Sequence, residues 1–141
     1  VRILVMRLRG SAVGWDGQRF SGLQRPVLYL RGIGVLGDYF ARSGLASDSS
    51  PRNINSLGLM LLRNRSNVAV DLEWRVKRLV QDEPFRSHIE ILPKPLFIMP
   101  CYLGLSPAMQ AAQSKFVAQL WRDTALAYLR IVAEMKPSGV P

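Results

Sequence analysis

Two kinds of hydrophobic pattern alternate along the chain. Short apolar runs bounded by turn-forming residues indicate strands, and they lie at 2–8, 27–30, 68–70, 89–92, 96–99 and 102–105. Apolar residues spaced three and four apart indicate helices, and these cover 35–44, 56–63, 71–82 and 106–135. This order predicts an α/β fold, in which an open mixed sheet is flanked by helices and followed by a long C-terminal helix.

Polar segments separate these elements. The glycines around Trp15 indicate a loop, and residues 46–55 are rich in Ser, Asp and Asn, which favour loops and helix caps. Ser106 and Pro107 are typical of the first residues of a helix. Pro100 makes 96–99 an edge strand rather than a central one, because proline cannot donate a hydrogen bond to a neighbouring strand.

The charge of the chain is strongly positive. Its 19 Lys and Arg residues against 10 Asp and Glu give a formal net charge of +9 and a pI near 10.6. A basic module that binds nucleic acid or an acidic membrane is therefore one alternative. The arginines fall singly, however, without the dense basic tract or interleaved aromatics of nucleic-acid modules. We therefore expect no nucleic-acid partner.

The chain offers few residues for catalysis or metal binding. Cys101 is the single cysteine and His88 the single histidine, so neither an internal disulfide nor a multi-histidine metal site can form. A serine hydrolase triad is also disfavoured. We predict no enzyme activity, no metal and no cofactor. No apolar stretch reaches the roughly 18 to 20 residues of a membrane span, and the apolar start without Met suggests a mature or excised segment.

The first candidate binding segment is Arg31-Gly32-Ile33-Gly34, which follows the strand at 27–30. In open α/β sheets, ligands bind at the carboxyl ends of strands. The glycines would let the backbone approach a ligand closely, and the free N–H groups of the following helix favour a carboxylate or similar anion. The alternative is that this segment is only a tight turn between strand and helix.

Asp71 is the second candidate, because it follows the apolar run at 68–70 directly. Its carboxylate could hold the ammonium group of a ligand. Alternatively, it caps the helix that begins there, since acidic residues are favourable at helix N-termini.

Three segments in order resemble the family 3 bacterial solute-binding proteins, which are the amino-acid receptors of ABC transporters. They are 25–33, 57–70 and 102–106. In that family a strand leads to a Gly-Thr/Ser turn and a helix, and a later helix ends in Gly-Arg-x-Asp before a buried strand. A strand containing Tyr then crosses back before a long C-terminal helix.

The resemblance implies a periplasmic-binding-protein type 2 fold. Residues 1–105 would form the second lobe of a two-lobed receptor, and residues 106–141 a C-terminal helix that returns toward a first lobe, most of which is absent. The implied function is binding of a small polar solute, with an amino acid as one candidate, in the periplasm and in partnership with a membrane permease. An effector-binding domain of a sensor or transcriptional regulator is the alternative. We also expect homodimerisation, since a lone lobe exposes apolar surface.

The chain departs from the family pattern at two places that concern the ligand. Family members place a hydroxyl-bearing residue after the turn glycine, where it holds the carboxylate of the amino acid, whereas Ile33 follows Gly32 here. The family's Gly-Arg-x-Asp reads Asn64-Arg65-Ser66-Asn67, which keeps the Arg and loses the Asp. Asp71 lies within about one position of the family's ammonium-binding Asp.

Overall fold

The computed structural model describes residues 1–102 and 104–134. The chain divides into two units, Val1–Pro100 and Cys101–Pro141. The first unit contains all the strands of the described chain, namely β1 (Arg2–Leu8), β2 (Gly14–Trp15), β3 (Phe20–Ser21), β4 (Val27–Tyr29), β5 (Ser47–Asp48), β6 (Val68–Leu72), β7 (Ile89–Ile91) and β8 (Phe97–Ile98). Its helices are α1 (Gly34–Ser43), α2 (Ile54–Leu62), α3 (Glu73–Leu79) and α4 (Phe85–His88).

Six of these strands form one mixed sheet in the order β5-β4-β6-β1-β7, with β8 also paired to β1. β4 runs parallel to both β5 and β6, whereas β1 runs antiparallel to β6, β7 and β8. The continuous apolar run of β1 explains its place inside the sheet, where Ile3–Met6 are buried. The α/β class and the mixed sheet flanked by helices are therefore confirmed.

Alternating side chains along the strands create a core on each face of the sheet. Val68 and Val70 of β6 belong to one core cluster, together with Leu36 and Phe40 of α1. Ala69 belongs to the other cluster, which includes residues of α2, α3 and α4. Successive residues of a strand point to opposite faces, so a short strand such as β6 contributes to both cores.

Local sequence fixes the ends of the first two helices. Gly44 ends α1 in the left-handed conformation (φ 67°), as expected for a glycine after a helix. Asn53 caps α2, since its side chain accepts from the backbone N–H of Ser56 while the Ser56 hydroxyl oxygen accepts from the N–H of Asn53. Such a capping box stabilises a helix start by satisfying two free amides.

Several predicted boundaries in the first unit are wrong. The loop predicted around Trp15 contains the hairpin β2–β3, in which Trp15 packs on Phe20 with ring centroids 4.4 Å apart. The polar segment 46–55 contains β5, whose short pairing with β4 follows from tertiary contact rather than from an apolar pattern. Asp71 belongs to β6 rather than to a helix, and α3 ends at Leu79 rather than at residue 82.

The second unit contains α5 (Pro107–Ala112) and α6 (Ser114–Glu134). The predicted single helix is broken at Gln113, and Met135 lies outside the described residues. The strand predicted at 102–105 is not formed at the residues described there. The face predicted to be buried along this helix is exposed throughout 121–131, because helical periodicity creates an apolar face without supplying a partner for it. No helix in the described ranges is sufficiently long and apolar to span a membrane.

Candidate functional site

The two connections between the parallel strands run in opposite directions across the sheet. α1 leads from β4 to β5 on one side, and α2 leads from β5 to β6 on the other side of β4. The two helices pack on opposite faces of the sheet. In open α/β sheets a crevice forms at such a point, outside the carboxyl ends of the strands. We call the segments 30–34, 48–53 and 71–75, which end or follow β4, β5 and β6, the carboxyl-end edge.

Arg31-Gly32-Ile33-Gly34 lies at this edge, directly before and at the start of α1. Gly32 has φ +88°, a left-handed conformation that favours glycine, and a Cβ built there meets no atom within 4 Å. The backbone N–H of Arg31 donates to the carbonyl of Pro51 at 3.2 Å, which joins the loop after β4 to the loop after β5. The Arg31 side chain is exposed, whereas Ile33 packs against both core clusters.

The N-terminus of α1 has free hydrogen-bond donors. Its N-cap residue is Ile33, and no side chain caps the helix. Within the described ranges, the backbone amides of Gly34 and Val35 have no hydrogen-bond acceptor. By contrast, Asn53 caps α2 at the same edge. The start of α1, like that of the shorter helix α3, therefore leaves main-chain amides available to an anion.

Asp71 is buried near the end of β6, and its side chain has 0% exposure. Its Oδ1 atom accepts from the backbone N–H of Leu72 at 2.6 Å, and the Arg75 guanidinium lies 3.6 Å from the same atom. Its Oδ2 atom is buried and has no hydrogen-bond partner among the described residues. A buried carboxylate oxygen without a partner is costly, so such atoms are rare in folded proteins.

The geometry argues against a simple capping role for Asp71. The N-cap residue of α3 is Leu72, and no side chain forms a capping hydrogen bond there. Burial raises the pKa of Asp71, whereas the Leu72 amide and the Arg75 guanidinium lower it by less. The partners of the ionised Asp71 carboxylate therefore do not fully offset the cost of its burial. Carboxyl groups with pKa values shifted in this way are frequent in functional sites.

Trp74 and Arg75 extend the site beyond the residues that we predicted. Trp74 is 52% exposed, and the Arg75 guanidinium lies 5.0 Å from the centroid of its ring. The Arg75 guanidinium thus contacts both the Trp74 ring and, at 3.6 Å, the Asp71 carboxylate. The i,i+4 spacing of Asp71 and Arg75 could have indicated from the sequence that their side chains meet. That inference requires both residues to lie on one helix.

The structure brings the predicted site residues to the same edge of the sheet. β4 and β6 are adjacent and parallel, with Tyr29 opposite Val70, so the segment from Arg31 to Gly34 and Asp71 both follow this pair of residues. The hydroxyl that the family pattern places after the turn glycine has no counterpart, since Ile33 is turned into the core. This edge therefore combines one fully buried carboxylate, free main-chain amides at the start of α1 and the exposed side chains of Arg31 and Arg52.

A second group of polar side chains, Glu83, Ser87 and His88, forms no comparable site. The Ser87 hydroxyl donates to Glu83 at 2.6 Å, and His88 Nδ1 lies 2.8 Å from the carbonyl of Pro84. Nδ1 must carry its proton to donate to that carbonyl, so it cannot accept the proton of Ser87. This exposed cluster stabilises the short helix α4 instead of activating a nucleophile.

Comparison with known proteins gives no match for this chain among family models, curated proteins or solved structures.

Proposed function

We propose that the chain is a ligand-binding lobe of a two-lobed periplasmic transport receptor, which delivers a small polar solute to a membrane permease. The proposed ligand carries an ammonium group and a carboxylate, as an amino acid does. The observation that carries this proposal is the buried Oδ2 atom of Asp71, which has no partner within the described chain. It lies beside the point where a sheet of this kind binds ligands.

Asp71 would bind the ammonium group of the ligand. An ammonium donates up to three hydrogen bonds and carries the opposite charge, so it compensates both the missing hydrogen bond and the cost of burial. Arg75 lies 3.6 Å from Asp71 and is 30% exposed. Its guanidinium is the cation with which the ligand ammonium would compete for Asp71, and it contacts the Trp74 ring in the same arrangement.

The free amides at the start of α1 would bind the carboxylate of the ligand. Their partial positive charge and the macrodipole of this ten-residue helix favour an anion. Because Ile33 has no hydroxyl, we assign these hydrogen bonds to the main chain, beside the exposed side chain of Arg31. Gly32 and Gly34 are exposed and leave the approach to the amides open.

Two backbone conformations support the resemblance to the solute-binding family. Gly32 and Asn64 stand where the family pattern has glycine, and both have positive φ angles, +88° and +55°. Asn tolerates this conformation better than other residues with a side chain.

Calorimetric titration of the chain with common L-amino acids tests the proposal. Each amino acid is paired with the same acid lacking the amino group, as L-alanine with propionate. We expect binding of at least one amino acid and loss of binding for its deaminated partner. Asp71→Asn should weaken binding by about 100-fold, since charged hydrogen bonds contribute about 1.5–3 kcal/mol. Arg75→Gln should strengthen binding, because it removes the competing cation.

The matched control is Asp48→Asn, which neutralises another carboxylate at the same edge. Asp48 Oδ1 accepts from the Ser50 amide in its own loop, so its loss should leave ligand affinity within about threefold of the unchanged chain. The proposal is wrong if no amino acid binds. Equal effects of the two Asp→Asn variants would contradict the role of Asp71.

A further inference from the structure

The opposite edge of the sheet carries a different group of charges. Arg65 precedes β6, Arg25 precedes β4, and Arg9 follows β1. All three side chains are exposed. Because β1 runs antiparallel to β6, the end of β1 meets the starts of β4 and β6 at one edge. We call Arg9, Arg25 and Arg65 the amino-end basic cluster.

Hydrogen bonds hold the backbone of this cluster together. The Ser66 hydroxyl donates to the carbonyl of Pro26 at 2.7 Å, which places Arg65 and Arg25 on neighbouring segments. The backbone N–H of Leu8 donates to the carbonyl of Asn67 at 3.4 Å, which places Arg9 on the next segment. Adjacent strands lie about 4.8 Å apart, so the cluster spans roughly 10 Å, close to one Debye length at physiological salt.

No carboxylate neutralises the cluster within the described part of the chain. The ion pairs found there join Arg7 to Glu90, Arg75 to Asp71, Lys77 to Glu73 and Arg86 to Glu83. Arg9 donates through Nε to the carbonyl of Ser87 at 3.2 Å, which fixes the side chain without removing its charge. The three side chains of the cluster are therefore exposed and form no ion pair among the described residues.

The chemistry around the cluster favours a lipid surface over other anions. In the first unit, the large apolar side chains that are exposed are Leu59, Trp74 and Ile98, and none belongs to the loops that carry the cluster. A protein interface would need apolar or aromatic anchors, and single-stranded nucleic acid would need aromatic rings for stacking. Anionic headgroups need neither, since basic residues near a membrane gain energy from its surface potential alone.

We propose that the amino-end basic cluster docks the chain onto an anionic lipid surface. Docking through this edge turns the carboxyl-end edge, at the other end of the same strands, away from the bilayer and leaves it open to solutes. This inference rests on the charges of the amino-end edge and does not depend on a ligand at Asp71.

Sedimentation of the chain with lipid vesicles tests this inference. One set of vesicles contains phosphatidylcholine with one-third phosphatidylglycerol, and the other contains phosphatidylcholine alone. We expect binding only to the anionic set, and weaker binding as salt rises. Arg25→Gln with Arg65→Gln should lower the partition coefficient about 30-fold, since each basic residue contributes roughly fivefold. This pair of changes leaves the bond from Arg9 to Ser87 intact.

The matched control is Arg2→Gln with Arg52→Gln, which removes the same charge from exposed residues at the other end of the strands. Arg52 belongs to the carboxyl-end edge, and Arg2 begins β1 beside the end of β6. Partitioning of this variant should fall less than about threefold, because screening limits the reach of distant charges. Circular dichroism checks that both double variants fold. If the variant with Arg25→Gln and Arg65→Gln does not fold, Arg25→Gln alone replaces it, with an expected loss of about fivefold in the partition coefficient.

Three outcomes would overturn the inference. Equal losses in the two double variants would show that net charge alone drives binding. Binding to the neutral vesicles would indicate insertion of apolar side chains. Tighter binding to a DNA duplex than to the anionic vesicles, at the same salt, would assign the cluster to nucleic acid instead of lipid.

Discussion

The buried polar side chains near the two ends of β6 differ in how fully they are hydrogen-bonded. Ser66 and Asp71 are the two buried polar or charged residues of the described chain, both with 0% exposure. Ser66, at the amino end, donates to the carbonyl of Pro26 and accepts from the Val68 amide. Asp71, at the carboxyl end, leaves one oxygen without a partner. Asn67 Oδ1, next to Ser66, and Ser11 Oγ are also buried without a partner among the described residues, but of these three atoms only Asp71 Oδ2 belongs to an ionisable group. Leaving an ionised group buried without compensation costs more than leaving a neutral one, which is what distinguishes Asp71.

The largest effect on stability should come from Ser66→Ala. The change leaves the Pro26 carbonyl and the Val68 amide without their buried partner, and we expect a loss of about 2 kcal/mol in the free energy of unfolding. Urea denaturation followed by circular dichroism measures it. Ser50→Ala, at an exposed serine, should change the same quantity by less than about 0.5 kcal/mol. Similar losses in the free energy of unfolding for Ser66→Ala and Ser50→Ala would contradict a special contribution of the buried Ser66 hydrogen bonds.

Gly32→Ala, at the carboxyl-end edge, should cause a somewhat smaller loss in the free energy of unfolding. The left-handed φ of Gly32 would cost alanine about 1 to 2 kcal/mol, although its Cβ has open space. Gly34→Ala is the matched control, because Gly34 lies two residues away, has no such φ, and also has open space. Alanine there should stabilise the chain by about 0.5 kcal/mol. Equal thermal unfolding midpoints for the two variants would contradict a strained turn.

Asp71→Asn should have the smallest effect on stability at neutral pH, and the effect should be a gain in the free energy of unfolding. Asparagine keeps an oxygen for the Leu72 amide and removes a buried charge that is poorly compensated. The same variant should lose ligand, so stability and binding move in opposite directions. A variant that is less stable than the unchanged chain at pH 7 would show that Arg75 compensates the charge fully.

The pH dependence of this gain follows from the raised pKa of Asp71. Below its unfolded value near 3.8 the carboxyl is protonated in both states, and the gain disappears. As pH rises through the higher folded pKa, the folded state has to ionise a buried group, and the gain grows to its full size. Asp16 provides a control of opposite sign, since the amides of Arg19 and Gln18 lower its pKa. Asp16→Asn should destabilise the chain at neutral pH and have less effect as pH falls below about 3.8.

The sequence predicted most of the architecture because the core strands carry unambiguous apolar runs. β1, β4 and β6 and the helix ending at Gly44 were predicted close to their observed positions. β5 was missed because Ser47 and Asp48 form a strand only through pairing with β4. Likewise, the break at Gln113 was missed because apolar periodicity continues across it.

The candidate site was predictable in its parts but not in its assembly. Strand ends and glycines pointed to the segment from Arg31 to Gly34 and to Asp71. The free amides of α1 were expected from the helix start. The unpartnered oxygen of Asp71 and the position of Arg75 between Asp71 and Trp74 depend on contacts that the local pattern did not reveal. The amino-end basic cluster was hidden for the same reason, since Arg9, Arg25 and Arg65 are widely separated along the chain.

The sequence by itself determined the α/β class, the buried strands and the turn at Gly32, because hydrophobic periodicity and backbone preferences act over a few residues. Only the tertiary structure decided which arginines lie on neighbouring segments and which buried polar atoms lack a partner. Charge and hydrogen-bond satisfaction depend on distances between segments, and these are set when β1 pairs with β6. The same strand therefore ends in a satisfied serine on one side and an unsatisfied aspartate on the other.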